Sequence, residues 1–287
     1  MGLLWLVTLG WAFSFSLIGV YLSGQVDDYL SVFIRTALAS LLFVPLIARH
    51  WPGLRMAAKL MAIGGIQIGL MYLFFFRSFS YLSVPEVLLF TTLTPLYVTL
   101  FDELFERRLH LPLHWWLATA LAVVGAVVIR WDSISTSAIF GFVLVQGANV
   151  CFALGQVLYK RLDLGPAPNQ IRHFGFFFFG GALVALIAAV SLADWSKMPQ
   201  GHVEWGVLLW LGLGASGLGY LAWNSGARLV NTAQLAVMNN MLIPAGILVN
   251  VAIWNRDADW LRLVMGGLVL VGAIVIASCG GQASEKS

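Results

Sequence analysis

Ten long apolar runs dominate the sequence and decide what kind of fold it can adopt. A helix needs about 20 mostly apolar residues to cross the hydrocarbon core of a bilayer. Only 10% of the residues are charged and 60% are hydrophobic, whereas soluble domains carry about 25% charged residues. The sequence therefore predicts an all-α membrane protein with ten transmembrane helices. We place them at 3–22, 29–48, 57–76, 84–101, 111–129, 138–159, 173–192, 205–225, 232–253 and 260–279.

The polar segments between these runs leave no room for a soluble domain, since the longest lie near 160–172 and 193–204. The first run has no Lys or Arg before it and exceeds the 7–15 residues of a signal-peptide core, which predicts a retained helix. Cys151 and Cys279 lie in separate runs without CxxC spacing. They indicate neither a disulfide framework nor a metal site.

Lys and Arg in the polar segments predict the orientation, because cytoplasmic loops carry an excess of both. Of the 16 Lys and Arg residues, ten fall on the side of the N-terminus, five fall on the opposite side, and Arg35 lies within a run. Both termini are therefore expected in the cytoplasm. The net charge of +3 requires no nucleic-acid partner.

Three short landmarks recur in the same order and predict an internal repeat. They are GLMYL and GLGYL at 69–73 and 217–221, FTTLTP and NNMLIP ending at Pro95 and Pro244, and LAVVGAVVI and LVLVGAIVI at 121–129 and 268–276. The repeat divides the chain into 1–137 and 138–287, with five helices each. Because five is odd, the second half enters the membrane from the opposite side, which gives two inverted five-helix repeats as in many transporters.

Pro95 and Pro244 are candidate hinges. Proline lacks an N–H, so Pro244 leaves the carbonyl of Asn240 without its helical partner, and Pro95 does the same to Thr91. Such groups must be satisfied by protein or face a wet cavity. One interpretation is a polar point near mid-membrane in each half; the other is two kinks patched by local side chains, with asparagines that hydrogen-bond between helices.

Polar and aromatic residues lie at comparable depth in several runs and predict a substrate cavity. Their amides, hydroxyls and rings suit a neutral polar head with an apolar body, although each residue alone is also compatible with ordinary packing. Ser14, Ser216 and Asn224 lie at the same depth, and the spacing of Gly65 with Gly69 and of Gly212 with Ser216 favours close helix contacts. The candidate binding residues are Trp11, Ser16, Gln67, Tyr72, Thr94, Tyr97, Gln146, Asn149, Tyr220, Trp223, Asn239 and Asn240.

Three charged residues have separate interpretations. Arg35 is the one charge well inside a predicted helix; it either snorkels to the external interface or, with Arg77 at the outer end of the third run, attracts a substrate carboxylate. Glu86 begins the fourth run at the same level. If transport uses protons, Glu86 is the candidate coupling group.

Enzymatic activity is not expected. GASG at 214–217 resembles the serine motif of intramembrane proteases, but a nucleophilic serine needs a base within hydrogen-bond reach. All five histidines lie in loops or at helix ends. No metal-ligand cluster, no cofactor site and no GxxxxGK[ST] phosphate loop is present in the sequence, so we expect secondary transport without a nucleotide.

A resemblance to a known family covers the whole chain. RTALASLLFVPL in the second run, and LTPLYVTL followed by GAVVI, resemble the EamA branch of the drug/metabolite transporter superfamily. WAFSFS at 11–16, GYLAWNSGA at 219–227 and MNNMLIPAGILVNVAIW at 238–254 are similar to bacterial biotin transporters of the carboxylate/amino acid/amine transporter group.

The resemblance implies a carrier in the bacterial inner membrane that imports biotin by alternating access. It implies that Asn239, Asn240 and Asn149 bind the cyclic urea, that Trp223, Tyr220 or Trp11 contacts the ring, and that Arg35 or Arg77 binds the carboxylate. The alternative function is an exporter of amino acids or related amphipathic metabolites, and a non-transporting scaffold or receptor is a third. Monomer and homodimer both stay open.

Overall fold

The computed structural model describes residues 2–49, 51–106, 136–165, 167–230 and 232–254, with isolated positions within 120–124 and 261–272. The helices predicted at 111–129 and 260–279 lie outside these ranges apart from those positions. All regular secondary structure in the described ranges is helical. The structure therefore tests eight of the ten predicted runs.

Each of these eight runs forms a helix. Six of the helices are long and apolar enough to cross a membrane in the part of the chain that is described, and the apolar section of α8 is the shorter Met238–Trp254. Helices α1 to α4 correspond to the first four predicted runs, and α5 to α8 correspond to the sixth to ninth. Their bounds are α1 Gly2–Leu22, α2 Asp28–Leu41, α3 Leu54–Ser78, α4 Val84–Phe105, α5 Thr136–Lys160, α6 Ala167–Leu192, α7 His202–Ala227 and α8 Thr232–Trp254.

Helix α2 is shorter than its predicted run because the chain turns at Leu42 and Phe43 before a short helix at Val44–Arg49. Pro45 has no N–H to donate to the carbonyl of Leu41, four residues earlier. The helical ladder therefore stops at Leu41, and the predicted helix at 29–48 consists of two pieces.

Three helices change their hydrogen-bond register along their length. The π-helical segments are Ile18–Leu22 in α1, Gly65–Leu70 in α3 and Trp210–Leu218 in α7. In α4, a turn of 3₁₀ helix at Thr91–Leu93 precedes Pro95. Such irregular turns widen or tighten the backbone locally and are frequent at functional sites.

The packing between helices has a paired arrangement. Helix α1 packs against α7 and α8, while α5 packs against α3 and α4; α2 packs against α7, while α3 packs against α6. The contacts of α2 with α6 and of α4 with α8 complete the set. Exchanging α1–α4 with α5–α8 in order converts the first six contacts into one another in pairs and leaves the last two unchanged.

Glycines permit the closest of these contacts. A Cβ atom on Gly64 would collide with the carbonyl of Phe177, and one on Gly180 would collide with the carbonyl of Met61. Gly69 in α3 and Gly212 in α7 lie similarly close to Val184 and Leu38. The prediction that small residues allow close helix contacts is confirmed at Gly69 and Gly212, and α3 and α6 approach each other backbone to backbone.

Candidate substrate-binding site

A cavity of about 90 Å³ lies among α1, α2, α3, α4, α5, α7 and α8. A space of this size holds several water molecules. Eight of the predicted binding residues line it: Trp11, Arg35, Tyr72, Thr94, Asn149, Tyr220, Trp223 and Asn239.

Arg35 places a cation in the wall of this cavity. The side chain is only 2% exposed, which rules out the interpretation that it snorkels to the external interface. Its Nε donates to Ser216 Oγ at 2.6 Å, while Nη1 is buried without a hydrogen-bond partner among the described residues. No carboxylate among the described residues forms a salt bridge with Arg35. The guanidinium therefore has an unused donor and no counter-ion.

Tyr72 and Ser216 fix the orientation of this guanidinium. The Arg35 Cζ lies 4.0 Å from the centroid of the Tyr72 ring, which is a cation–π arrangement. The Tyr72 hydroxyl and Ser216 Oγ are 2.9 Å apart and share a hydrogen bond. Gly212, one turn before Ser216, leaves room for α2 to approach α7. The GASG serine thus bonds to an arginine and a tyrosine, neither of which is a general base.

Aromatic rings form a second part of the wall. The ring centroid of Trp11 lies 4.9 Å from that of Tyr220 and 5.0 Å from that of Trp223. Phe152 adds an edge contact to Trp11 at 6.3 Å. Trp11 Nε1 donates to the carbonyl of Ala215 at 2.7 Å, inside the π-helical segment of α7. These contacts hold flat apolar faces against the cavity.

Asn149 lines the cavity and also hydrogen-bonds to the irregular turn of α4. In the 3₁₀ turn the N–H of Thr94 bonds to the carbonyl of Thr91, three residues back, instead of to the carbonyl of Phe90, four residues back. Asn149 Nδ2 donates to this carbonyl at 3.0 Å and to Gln146 Oε1 at 3.1 Å. Because both amide hydrogens are engaged, only Asn149 Oδ1 is left to accept a hydrogen bond from a ligand.

The prediction that Pro95 leaves the Thr91 carbonyl unpaired is wrong. Thr94 Oγ1 donates to this carbonyl at 2.7 Å, so a local hydroxyl patches the interruption. Helix α8 remains α-helical through Pro244. The structure thus brings Thr91 and Thr94 to the cavity wall, with the carbonyl already bonded.

The two asparagines of α8 differ in position. Asn239 lines the cavity, and its Nδ2 is buried without a partner in the described part of the chain. Asn240 does not line the cavity, although its Oδ1 is likewise buried and unpartnered. Adjacent residues of a helix point about 100° apart, which explains why only one of them faces the same cavity.

Five other predicted residues lie outside the cavity wall and bond to neighbouring helices. Gln67 donates to Asn224 at 3.3 Å, Ser16 accepts from Asn250 at 3.0 Å, and Tyr97 donates to Gln146 at 3.2 Å. Gln146 also donates to the Phe90 carbonyl at 3.4 Å. Arg77 pairs with Asp28 at 3.3 Å and has a 44% exposed side chain. Of the two arginines that were predicted to bind a substrate carboxylate, Arg35 lines the cavity and Arg77 does not.

Glu86 lies at the start of α4, away from the cavity lining. Its Oε2 accepts hydrogen bonds from the backbone N–H of Ser83 at 2.8 Å and from Ser83 Oγ at 2.7 Å. This is a capping box, in which a carboxylate satisfies a backbone N–H at a helix start. The carboxylate therefore has a structural function that the sequence interpretation did not include.

The sequence interpretation omitted several apolar lining residues. Phe75 follows Tyr72 by three positions, and Phe152 follows Asn149 by three, so each shares a helix face with a polar residue that was predicted. The other apolar residues of the wall are Phe15, Met71, Ala148 and Leu242. Helical spacing from the polar residues is the signal that identifies them.

No group of three or more His, Cys, Asp or Glu residues that could hold a metal ion occurs in the residues that the structure describes.

Comparisons with known proteins add an independent set of observations. The profile of the EamA-like transporter family matches residues 1–131 and again residues 139–278. A "Probable biotin transporter" from Pseudomonas aeruginosa (strain PAO1) is 48% identical over 280 residues, which cover 96% of each chain. A "Biotin transporter" from Escherichia coli (strain K12) is 44% identical over 277 residues, covering 96% of this chain and 91% of that protein.

More distant similarities also cover most of the chain. The "Pseudopaline exporter CntI" of Pseudomonas aeruginosa (strain UCBPP-PA14) is 25% identical over 259 residues, covering 86% of this chain and 84% of that protein. A solved crystal structure superposes with a TM-score of 0.64 at 18% identity, covering 95% of this chain and 98% of the other.

Proposed function

Because the chain belongs to the EamA-like transporter family, we propose that it imports biotin across the bacterial inner membrane by alternating access. The observation that carries the proposal is the cavity, where an arginine without a carboxylate partner among the described residues, flat aromatic faces and the amides of Asn149 and Asn239 lie together. Biotin has a carboxylate, an apolar bicyclic thioether and a cyclic urea. The relatives named as biotin transporters, at 44–48% identity, support the same substrate.

Arg35 binds the substrate carboxylate in this proposal. An uncompensated charge in a low-dielectric site is costly, and charges within membrane segments mark substrate pathways more often than simple packing. The free Nη1 of Arg35 can donate to a carboxylate oxygen while Ser216 and Tyr72 hold the guanidinium in place. Arg77 is excluded from this position because it is half-exposed and paired with Asp28.

Asn149 and Asn239 bind the ureido group. A cyclic urea presents N–H donors and one carbonyl acceptor. Asn149 Oδ1 accepts from an N–H, and the unpartnered Asn239 Nδ2 donates to the carbonyl. The rings of Trp11, Tyr220 and Trp223 enclose the apolar bicycle between these two ends.

Two inverted repeats supply the alternating access. The paired packing of α1–α4 and α5–α8 and the two successive matches of the family profile support repeats at 1–137 and 138–287. Tyr72 and Tyr220 occupy equivalent positions in the GLMYL and GLGYL landmarks, and their ring centroids are 6.0 Å apart. In this arrangement both termini are cytoplasmic, Pro95 and Pro244 act as hinges, and Glu86 is the coupling group if protons drive uptake.

Growth complementation tests the direction and the substrate. Cells that lack both biotin synthesis and their own biotin transporter should grow at low external biotin when they express this chain, and an Arg35→Gln variant should not restore growth at that concentration. Failure of the wild-type chain to restore growth, together with protection against toxic amino-acid analogues, would instead favour the exporter alternative, which relatives such as the pseudopaline exporter represent at 25% identity.

A further inference from the structure

A layer of buried amide side chains lies beyond the cavity. Gln67 is 0% exposed, and Gln156 and Asn224 are each 1% exposed. Gln67 Nε2 donates to Asn224 Oδ1 at 3.3 Å. The other amide atoms of the three, namely Gln67 Oε1, Asn224 Nδ2 and both polar atoms of Gln156, have no partner among the described residues.

Four unpartnered amide atoms in one place need a physical explanation. A buried polar atom without a hydrogen bond costs about 1–3 kcal/mol, and the hydrocarbon around a membrane protein offers no alternative partner. Folded proteins leave few such atoms, and groups of them indicate bound water or a ligand. Leu or Met at these positions would pack the helices together equally well without burying unpartnered polar atoms.

Two contacts define the end of the bundle toward which the layer lies. Leu4 at the start of α1 packs against Gly226 near the end of α7, and Arg228 Nη1 donates to the carbonyl of Leu162 just after α5. The start of α1 and the ends of α5 and α7 therefore lie at one end of the bundle, which we call the Lys160 end.

The aromatic residues of the cavity separate it from this layer. Trp11, Phe152 and Trp223 are the lining residues closest to the Lys160 end on α1, α5 and α7 respectively. Gln156 lies one turn beyond Phe152, and Asn224 directly follows Trp223. A Cβ on Gly155 would collide with the Cβ and Cγ of Gln67, so Gln67 of α3 packs against α5 at the residue before Gln156.

One face of α5 connects the cavity with the Lys160 end. Asn149, Phe152, Gln156 and Tyr159 recur at intervals of three, four and three residues, which places them along a single helical stripe. The first two line the cavity. The last two are buried below it, and the Tyr159 hydroxyl also lacks a partner in the described part of the chain.

We propose that Gln67, Gln156 and Asn224 form a second binding site, closed in this structure, that takes the ureido head of the substrate after it passes Trp11, Phe152 and Trp223. The site rests on the proposed function, since it needs a substrate that moves through the cavity. Its amides supply donors and acceptors together, which matches a urea. When α7 and α5 separate at the Lys160 end, substrate or water satisfies the unpartnered atoms.

Cysteine accessibility tests whether this layer opens. In a chain whose native cysteines are removed by Cys151→Ala and Cys279→Ala, Gln156→Cys should react with a membrane-impermeant thiol reagent applied from the Lys160 side. The predicted topology makes this the cytoplasmic side, which inside-out vesicles expose. Because a minor conformation is commonly populated at about 0.1–10%, we expect reaction about tenfold or more faster than at a permanently dry position.

Ala153→Cys provides the matched control. Ala153 lies on the same helix three residues from Gln156, is equally buried, and packs with Val98 and Val157 in an apolar cluster. Equal reactivity of the two cysteines, or reaction of Gln156→Cys from the opposite side alone, would overturn the second site. Asn224→Cys replaces Gln156→Cys if that variant does not fold.

Transport kinetics separate this proposal from the proposed function. Gln156→Leu should lower the maximal rate of biotin uptake about tenfold and leave the Kd for biotin in the main cavity unchanged, with no loss of thermal stability. An unaltered rate would identify the amides as contacts between helices. Labelling at position 156 needs no biotin, so it still reports opening of the layer if biotin is not the substrate.

Discussion

Arg35 is the single residue whose surroundings constrain the chemistry most. It is buried and lines the cavity, and in the described ranges it has no carboxylate partner and its Nη1 has no hydrogen-bond partner. The helix that corresponds to α2 in the second half, α6, has no charged residue between Arg172 and Asp194. Arg35 therefore makes the cavity positive on one side, as the proposed binding of a substrate carboxylate requires.

Replacing Arg35 by Gln should weaken biotin binding about ten- to a hundredfold, because a hydrogen bond to a charged group contributes about 1.5–3 kcal/mol. Thermal stability should not fall, since an uncompensated charge is removed. Equilibrium binding of biotin and of biotinamide, whose carboxylate is neutralised, measures the effect. The wild-type chain should prefer biotin, and Arg35→Gln should bind both alike.

Arg77→Gln is the control for this experiment. Arg77 lies outside the cavity and is paired with Asp28, so its loss removes no contact with the substrate and should change the Kd by no more than about twofold. Equal discrimination between biotin and biotinamide in the wild type and in Arg35→Gln would remove the arginine from carboxylate binding.

Asn239 should contribute more to substrate binding than Asn240. Asn239→Leu removes a donor that faces the cavity and should raise the Kd for biotin about tenfold, which corresponds to about 1.4 kcal/mol. Asn240→Leu removes an amide outside the cavity lining and should have a smaller effect. Isothermal titration of both purified variants, with melting temperatures to exclude unfolding, measures the difference; the reverse order would contradict the assigned positions.

At the scale of helices, the long apolar runs could be predicted because each must span the same hydrocarbon thickness, and hydropathy records that length directly. The 3₁₀ and π-helical turns that interrupt these helices could not be predicted from the sequence. The 3₁₀ turn of α4 depends on Asn149 and Gln146 of another helix to bond the Phe90 carbonyl. The sequence of α4 alone does not indicate which residues of another helix will bond to it.

The same limit applies to the candidate site. Residue types indicated a substrate with a polar head and an apolar body, and Tyr72 and Tyr220, two of the candidate binding residues, line the cavity. Rotation of each helix about its axis decides which neighbour faces the cavity. That rotation depends on packing, so Asn239 could not be distinguished from Asn240.

Close packing of α3 on α6 should depend on Gly64. Gly64→Ala places a methyl group against the carbonyl of Phe177 and should lower the melting temperature of the purified protein and its yield from membranes. Gly206→Ala in α7 is the matched control, because a Cβ there meets nothing within 4 Å, and alanine is the better helix former. Similar melting temperatures for the two variants would contradict the backbone contact.

Glu86 combines a helix cap with the proposed coupling function. Glu86→Gln keeps an oxygen that accepts from the Ser83 N–H but cannot ionise, so the fold should persist while the pH dependence of uptake flattens. Glu103→Gln, at the opposite end of α4, should leave the pH profile unchanged. Initial rates of uptake across a pH series measure both, and an unaltered profile for Glu86→Gln would exclude it as the coupling group.

At the scale of the whole molecule, the helices form one cavity between two related sets. The exchange of α1–α4 with α5–α8 preserves the helix contacts, whereas Arg35 in α2 and the asparagines in α5 and α8 break the equivalence chemically. A carrier built in this way can open on either side through the same packing surfaces. The groups proposed to bind the substrate therefore differ between the two halves.

Uptake by the purified protein alone is the most direct test of biotin import. Proteoliposomes that contain only this chain should take up radiolabelled biotin in a saturable manner without any nucleotide, either with an imposed inward proton gradient or without one. Excess unlabelled biotin should abolish the uptake, and biotinamide should compete far less well. Two results would contradict the account. One is uptake no greater than in protein-free liposomes under both conditions, measured with protein that melts cooperatively. The other is equal competition by biotinamide and biotin.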